Sequence, residues 1–446
     1  MQSLTDNTPW TDIQEFGLTN EDVTNLEKIA NIPIDELRLE QNPSLLVFPR
    51  DLGVYGDEIS ESEILHIKEG KIRTGNIMGF VGCNGTELNI KSRFAKSDPD
   101  DYFLHYLLQR VFAINLFDLK HTSAKESVFD FLLYLFPHFL KQAVRQGVFR
   151  KYERREYNDS RVRGVVDTSR HIHLNIPFNG NIAYNCREHT YDNEVTELVR
   201  HTIEFIKTKQ QGRFILENDV DTKAAVNAII MATPGYAARE RGFVISQNLR
   251  PIRHPYFDAY PKLQKLCIQI LRHESIKYGQ SKNEVYGVLF DGAWLWEEYL
   301  NKILCKLDFK HPRNKQHRGG IRMFKNEATE LEFDSNKRKL YPDFYKDNFI
   351  LDAKYKHLNS NICREDLYQV VTYMYCTHSQ YGGYVHPLEK PSNTIWYQLS
   401  GYENGNEGRM AIIPFYVPQA AGDWKQYGEE ISKSEDTLVK TIQNPK

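Results

Sequence analysis

The spacing of hydrophobic and polar residues changes character three times along this chain. Residues 1–35 are acidic and polar, with Leu, Ile and Phe spaced for short helices. Over 36–95, short apolar runs such as LLVFP and NIMGFVG alternate with turn signals at Asp51-Leu52-Gly53, Glu69-Gly70-Lys71 and Asn84-Gly85. ELNIKSRF alternates residue by residue, the period of a half-buried strand. These features predict a small β-rich domain, a partly closed barrel, with a hairpin at Asn84-Gly85. From 98 the period becomes that of a helix. YFLHYLLQRVFAIN follows capping residues Asp98 and Asp100. VFDFLLYLFPHFLKQAVRQG ends at Gly147 and carries Pro137, which should kink or restart it. Further helices are expected over 196–210, 223–233 and within 255–278. Beyond 281 helical and strand patterns alternate: a helix over 287–307, strands around 339–355, a helix over 364–376, and strands at 382–387, 394–399 and 409–418. The predicted architecture is multi-domain α+β: a β-rich domain over 1–97, a helical domain over 98–280 and an α/β domain over 281–446.

Composition supports packed cores. Of 446 residues, 41% are hydrophobic and 12% aromatic, so the chain is not disordered. Net charge is −2. A protein that binds nucleic acid tightly and alone is more often basic. Near-neutrality points to local basic patches, or to a partner that supplies DNA affinity. Six scattered cysteines without a C-x-x-C make neither a zinc site nor a disulfide framework. They read as reduced, mostly buried thiols of a cytoplasmic protein. The first residues lack the basic and apolar regions of a signal peptide. No run of 18 apolar residues is present, so no membrane association is expected. No G-x-x-x-x-G-K-[ST] occurs, which argues against intrinsic NTP hydrolysis through a P-loop.

The densest chemistry lies in YPDFYKDNFILDAKY, residues 341–355. Two strand-forming segments flank Asp347-Asn348, residues that tolerate the positive φ of a tight hairpin turn. A two-residue loop sets Asp343 opposite Asp352, and Lys354 shares the face of Asp352. Two carboxylates and an ammonium then converge. Mg²⁺ prefers carboxylate oxygens, and a lysine beside it can orient water or stabilise a developing phosphorane. Pro-Asp followed by Asp-x-Lys resembles the PD-(D/E)xK nuclease signature. D-x-K alone is common on exposed hairpins, but the apolar run Phe349, Ile350, Leu351 predicts a buried strand, where charges are costly unless paired or metal-bound.

Neighbouring segments add candidates. Glu297 lies in the helix before the hairpin, beside the face through Ala293, Leu300 and Leu304, and is a third carboxylate; Glu298 reads as a surface residue. Gln369 and Tyr373 share a face of the helix that follows, where Gln369 can orient the attacking water or meet phosphate and Tyr373 can support it. Segment 310–325 has six Lys or Arg and no acid. It can contact DNA phosphates, with Gly319-Gly320 allowing close approach. The cluster Arg150, Lys151, Arg154, Arg155 reads as a solvated surface. His311, His317 and His357 lack metal-ligand spacing and receive no catalytic role.

LWEEYL (295–300), YPDFY (341–345), LDAKY (351–355) and DLYQVVTYMY (366–375), with RVRGVVD (161–167) and DYFLHYLLQRVF (101–112), together resemble the McrC family, the nuclease subunit of McrBC-type modification-dependent restriction systems. The resemblance implies a C-terminal PD-(D/E)xK endonuclease domain. Asp343, Asp352 and Lys354 would be its catalytic triad, with Glu297, Gln369 and Tyr373 at matching positions. Mg²⁺, with Mn²⁺ able to substitute, would be held by Asp343, Asp352, Glu297 and the Ala353 carbonyl. The family further implies that the N-terminal β-rich domain docks on a hexameric McrB-type AAA+ GTPase. That partner reads modified cytosine (5-methylcytosine) in double-stranded DNA, and this subunit stimulates its GTP hydrolysis. Loops around 51–62 and 68–76 are docking candidates by position. Double-strand cleavage would need two nuclease subunits. Two rival readings are a stand-alone repair or recombination nuclease of the same fold and a non-catalytic GTPase-activating adaptor.

Overall fold

The computed structural model describes residues 2–39, 45–49, 62–84, 86–95, 101–112, 124–209, 212–217, 219–277, 285–312, 319–323, 339–358, 362–400, 408–419 and 421–445. Asp98, Asp100, loop 51–61 and half of the basic segment 310–325 lie outside these residues. Two compact units are present: Met1–Val128 with Lys282–Lys446, and Phe129–Ser281.

In the first unit the β-rich region is not one barrel. The described residues form a five-stranded sheet in the order Gln2–Thr5, Thr86–Lys91, Ile77–Cys83, Val285–Asp291, Leu45–Phe48, and a three-stranded sheet of Thr11–Asp12, Lys71–Thr74 and Leu65–Lys68. Both sheets share a core of Leu, Ile and Val side chains with the helices Asn20–Glu27 and Ile34–Leu39. The strands flanking the expected Asn84-Gly85 turn pair antiparallel, Cys83 with Thr86, and Asn84 takes a φ of 50°; Gly85 lies outside the described residues.

The strand Val285–Asp291 corrects the expected helix over 287–307. It pairs along its length with Ile77–Cys83 and in parallel with Leu45–Phe48. Short apolar runs fit helix and strand equally, and the partner strands lie over 200 residues away in sequence. The sheet selects a glycine here, since a Cβ on Gly287 would sit 2.3 Å from the Phe80 carbonyl oxygen. Asp291 ends the strand and caps the helix Gly292–Leu304, accepting hydrogen bonds from the Ala293 and Trp294 amides. One sheet thus joins strands from the expected domains 1–97 and 281–446.

The C-terminal part holds a mixed five-stranded sheet, ordered Phe344–Lys346, Phe349–Ala353, Tyr381–Leu388, Arg409–Tyr416, Ile395–Gln398. The three central strands are parallel and the two edge strands antiparallel. Helix Gly292–Leu304 inserts Trp296 and Tyr299, both fully buried, against Phe415. By area, each aromatic contributes about 2–3 kcal/mol. The Trp296 indole donates to the Val385 carbonyl at 3.3 Å. Helix Arg364–Thr377 places Val370, Tyr373 and Met374 in a second core with Ile350 and Tyr384. A last helix, Trp424–Gln443, docks through Glu435, which accepts from Tyr106, Tyr299 and Arg110.

The second unit is not purely helical. Helices Glu194–Lys207, Val220–Ala232 and Tyr260–Lys277 match the predicted periods, and Pro137 sits inside the helix Ala124–Arg145. Strands Lys151–Asp159 and Ile182–Thr190 pair antiparallel, with Val165–Val166 on the other edge. The basic stretch FRKYERREY therefore starts a strand, with charges alternating between half-buried and exposed positions. Of the six cysteines, all free, only Cys83 and Cys267 are buried, fewer than expected. Among the described residues, no helix is long and apolar enough to cross a membrane.

Candidate active site

The hairpin forms with the expected register. Phe344 faces Leu351, Tyr345 faces Ile350 and Lys346 faces Phe349, which leaves Asp347-Asn348 as a two-residue loop. Neither loop residue has a positive φ. The turn is held instead through Asn348, whose side chain accepts from the Gln380 amide at 2.5 Å and whose carbonyl accepts from Tyr381 at 3.0 Å. The hairpin tip is thereby pinned to the start of the neighbouring parallel strand.

One step along this register brings Asp343 to Asp352. Asp343 Oδ2 accepts from the Ala353 amide at 2.7 Å. Asp352 is 1% exposed. The Lys354 ammonium lies 2.8 Å from the buried Asp352 Oδ2 and forms an ion pair with it. Burial, then the Asp352 and Glu297 carboxylates, pushes the Asp343 pKa well above the usual range. Burial also raises that of Asp352, against the pull of Lys354. Burial opposes the Lys354 charge, but Asp352 and Asp366 outweigh it and hold its pKa above the usual lysine value. The site is therefore a crowded set of acids whose ionised forms call for a cation.

Glu297 stands in the second turn of its helix, near enough for its charge to act on Asp343. His311 links the two. Its Nδ1 is 2.7 Å from the Asp343 carbonyl oxygen, which can only accept, so Nδ1 carries the proton. Its Nε2 then points toward Glu297 at 3.6 Å and Glu298 at 3.9 Å. Glu298 is thus tied to His311 and is less exposed than Glu297, unlike the surface residue expected. On the following helix the Gln369 amide donates to the Tyr373 hydroxyl at 2.9 Å. Asp343 and Asp352 both raise the Tyr373 pKa, after burial, so the pair borders the acids.

The structure thus gathers Asp343, Asp352, Ala353, Lys354, Glu297, Gln369 and Tyr373 around one end of the sheet. Among the described residues, no group of three His, Cys, Asp or Glu side chains is already spaced to hold a metal. Here the Ala353 amide and the Lys354 ammonium balance the two aspartates. The donor set nonetheless fits a hard divalent cation, because it offers several carboxylates, one with a buried oxygen whose neighbour is the Lys354 ammonium.

Sequence reasoning missed two participants. One is Asp366, to which the sequence assigns no role of its own. It contacts Lys354 at 3.1 Å and Lys356 at 2.5 Å. Its spacing three before Gln369 and seven before Tyr373 is the signal that puts it on their face. His311 carried no such signal. Gly320 differs from its expected role as well: the Tyr341 ring covers it, 2.6 Å from where a Cβ would stand.

Among solved structures, this chain is similar to one in a refined half-complex from the tetradecameric assembly of Thermococcus gammatolerans McrB AAA+ hexamers with bound McrC. Identity is 14%, coverage is 98% of this chain and 99% of that one, and the TM-score is 0.49. It is also similar to a chain in the cryo-EM structure of the Thermococcus gammatolerans McrBC complex, with 14% identity, 68% and 87% coverage and a TM-score of 0.35. No curated protein matches the sequence. A family model matches residues 72–387, a span that includes the hairpin and both flanking helices, and on that evidence the chain belongs to the family of McrBC 5-methylcytosine restriction system components.

Proposed function

We propose that this protein is the DNA-cleaving subunit of a modification-dependent restriction complex, with a PD-(D/E)xK site that uses Mg²⁺ and works alongside an AAA+ GTPase partner. The observation that carries the reading is the convergence of Asp343, Asp352 and Glu297 with Lys354 at one end of a buried hairpin. Membership in a restriction-system family supports the biological setting. Absence of a P-loop motif from the chain agrees with a separate GTPase.

Asp343, Asp352, Glu297 and the Ala353 carbonyl would hold the metal. A bound Mg²⁺ would neutralise charge on the scissile phosphate and make a bound water more acidic. Lys354 orients the attacking water and offsets charge that develops on phosphorus. Gln369 presents its amide beside the acids, and the Tyr373 hydroxyl fixes its direction at 2.9 Å. His311 holds the Asp343 backbone and stands beside Glu297. The partner would select methylated double-stranded DNA and deliver it, and two such subunits would produce a double-strand break.

The test is cleavage of methylated plasmid by the full chain with its AAA+ partner, GTP and Mg²⁺. Asp352→Ala and Lys354→Ala should each abolish cutting while the partner's GTPase stays stimulated. Undiminished cutting would sink the site assignment. Equal cutting without any GTPase would remove the partner from the reading and favour a stand-alone nuclease.

A further inference from the structure

We propose that Asp366 is a positioning residue for Lys354, the counter-charge that keeps the ammonium in place once the paired aspartates are committed to a metal. The inference rests on the nuclease reading above.

Lys354 sits between two carboxylates, 2.8 Å from Asp352 Oδ2 and 3.1 Å from Asp366 Oδ1. The first cannot be its lasting anchor if Asp352 binds a divalent cation. The same oxygens would then face the metal, and the metal would repel the ammonium. A lysine side chain is long and rotamer-rich, so without a second anchor it would swing away. Asp366 supplies that anchor from a different element.

Asp366 is itself well fixed. It stands in the first turn of helix Arg364–Thr377, where a negative side chain is favoured by the helix dipole. Its backbone carbonyl accepts from the Tyr384 hydroxyl at 2.7 Å. Tyr384 is fully buried and lies directly opposite Asp352 in the parallel pairing. One side chain therefore latches the helix start to the strand beside the metal-binding carboxylate. Asp366 Oδ2 is taken by Lys356, which is 45% exposed, so Oδ1 is left for Lys354. The same face carries Gln369 and Tyr373. A single helix thus presents the anchor for the lysine and the amide that borders the reaction.

The test compares Asp366→Asn, Asp366→Glu, Lys356→Gln, Lys354→Ala and Asp352→Ala in the full chain with its AAA+ partner, GTP, Mg²⁺ and methylated DNA. Asp366→Asn should slow cleavage about 100-fold, as loss of a preorganised charge does. Asp366→Glu should recover part of that loss. Lys356→Gln should stay within about threefold of the unmodified protein, because exposed ion pairs contribute little. Mn²⁺ binding measured by calorimetry, and the thermal midpoint, should be the same for Asp366→Asn as for the unmodified chain. Wild-type cutting by Asp366→Asn beside an inactive Lys354→Ala overturns the proposal. So does a joint loss of Mn²⁺ binding and thermal stability, which would make Asp366 merely structural. If Asp352→Ala and Lys354→Ala themselves cut normally, the nuclease reading fails first and this inference with it.

Discussion

Two strands of this protein carry charge in opposite ways. Lys151–Asp159, in the unit Phe129–Ser281, alternates half-buried and exposed residues along its whole length. Its charges find partners near the surface: Lys151 with Glu153 and Glu194, Glu156 with Arg170 at 3.4 Å, and Tyr157 with Glu188 at 2.8 Å. Phe349–Ala353, in the other unit, is buried at four of its five residues, and Asp352 is among them. There Asp352 is the strand's single charge, held beside the Lys354 ammonium. Charge density along the sequence would rank the first strand as the more reactive. Burial reverses the order, because a desolvated carboxylate must be paired, protonated or bound to a cation, while a solvated one needs nothing.

The largest expected effect comes from breaking the buried side of this contrast at the site. Asp352→Ala or Lys354→Ala should lower cleavage at least about 1,000-fold, some 4 kcal/mol of transition-state stabilisation, read from plasmid nicking with partner, GTP and Mg²⁺.

A second buried charge pair separates structural from chemical use of burial. Asp6, fully buried, accepts from the Arg93 amide and from its guanidinium at 2.9 Å and 2.6 Å. Arg93 in turn lies over the Tyr355 ring, whose hydroxyl meets Ser92 at 2.7 Å. Asp6→Ala strands the arginine and should cost about 3–5 kcal/mol. Urea unfolding of the full chain checks this, and a loss under about 1 kcal/mol would show that water reaches Arg93.

Acid should next unsettle a buried histidine of the second unit. His201 in helix Glu194–Lys207 is 1% exposed; burial, with Arg241 adding, holds its pKa down at about 4 against an ordinary 6.5. The native state keeps the ring neutral while the unfolded chain takes up a proton. Stability present above pH 6.5 is therefore lost as pH falls toward 4, by up to about 3 kcal/mol. Amide exchange in that helix should accelerate on acidification, and His201→Leu should flatten the response. An unchanged acid response in His201→Leu would assign the loss to other groups.

The smallest effect is expected where charge is exposed. Arg154→Ala should shift the urea midpoint by less than about 0.5 kcal/mol in stability. A larger loss would mean that the alternating strand relies on its outward charges.

The sequence was most legible where contacts are local. Hairpin register follows from a two-residue loop and an apolar run, so the meeting of Asp343, Asp352 and Lys354 could be read directly. Gln369 and Tyr373 follow from helical spacing. Asp366 obeys the same spacing and could have been found. The last helix, Trp424–Gln443, shows Trp424, Tyr427, Ile431, Leu438 and Ile442 buried along one face, a pattern also open to reading. In the second unit, the strand pair Lys151–Asp159 and Ile182–Thr190 hid behind its charges, because its alternation is of partial burial rather than of apolar residues.

What the sequence alone determined, then, is local: the period of the longer helices over 101–112, 194–207, 220–232 and 364–377, the alternation of Thr86–Lys91, the hairpin and the chemical identity of its acids. Tertiary structure decided the rest. It put Val285–Asp291 into a sheet with strands from the first hundred residues, since an apolar segment of that length takes whichever partner can satisfy its backbone. It set His311 beside Glu297 and Asp343, and it placed Lys354 between Asp352 and Asp366. Those encounters join residues by distance in space rather than along the chain, and electrostatic energy depends on that distance and on the water that packing excludes.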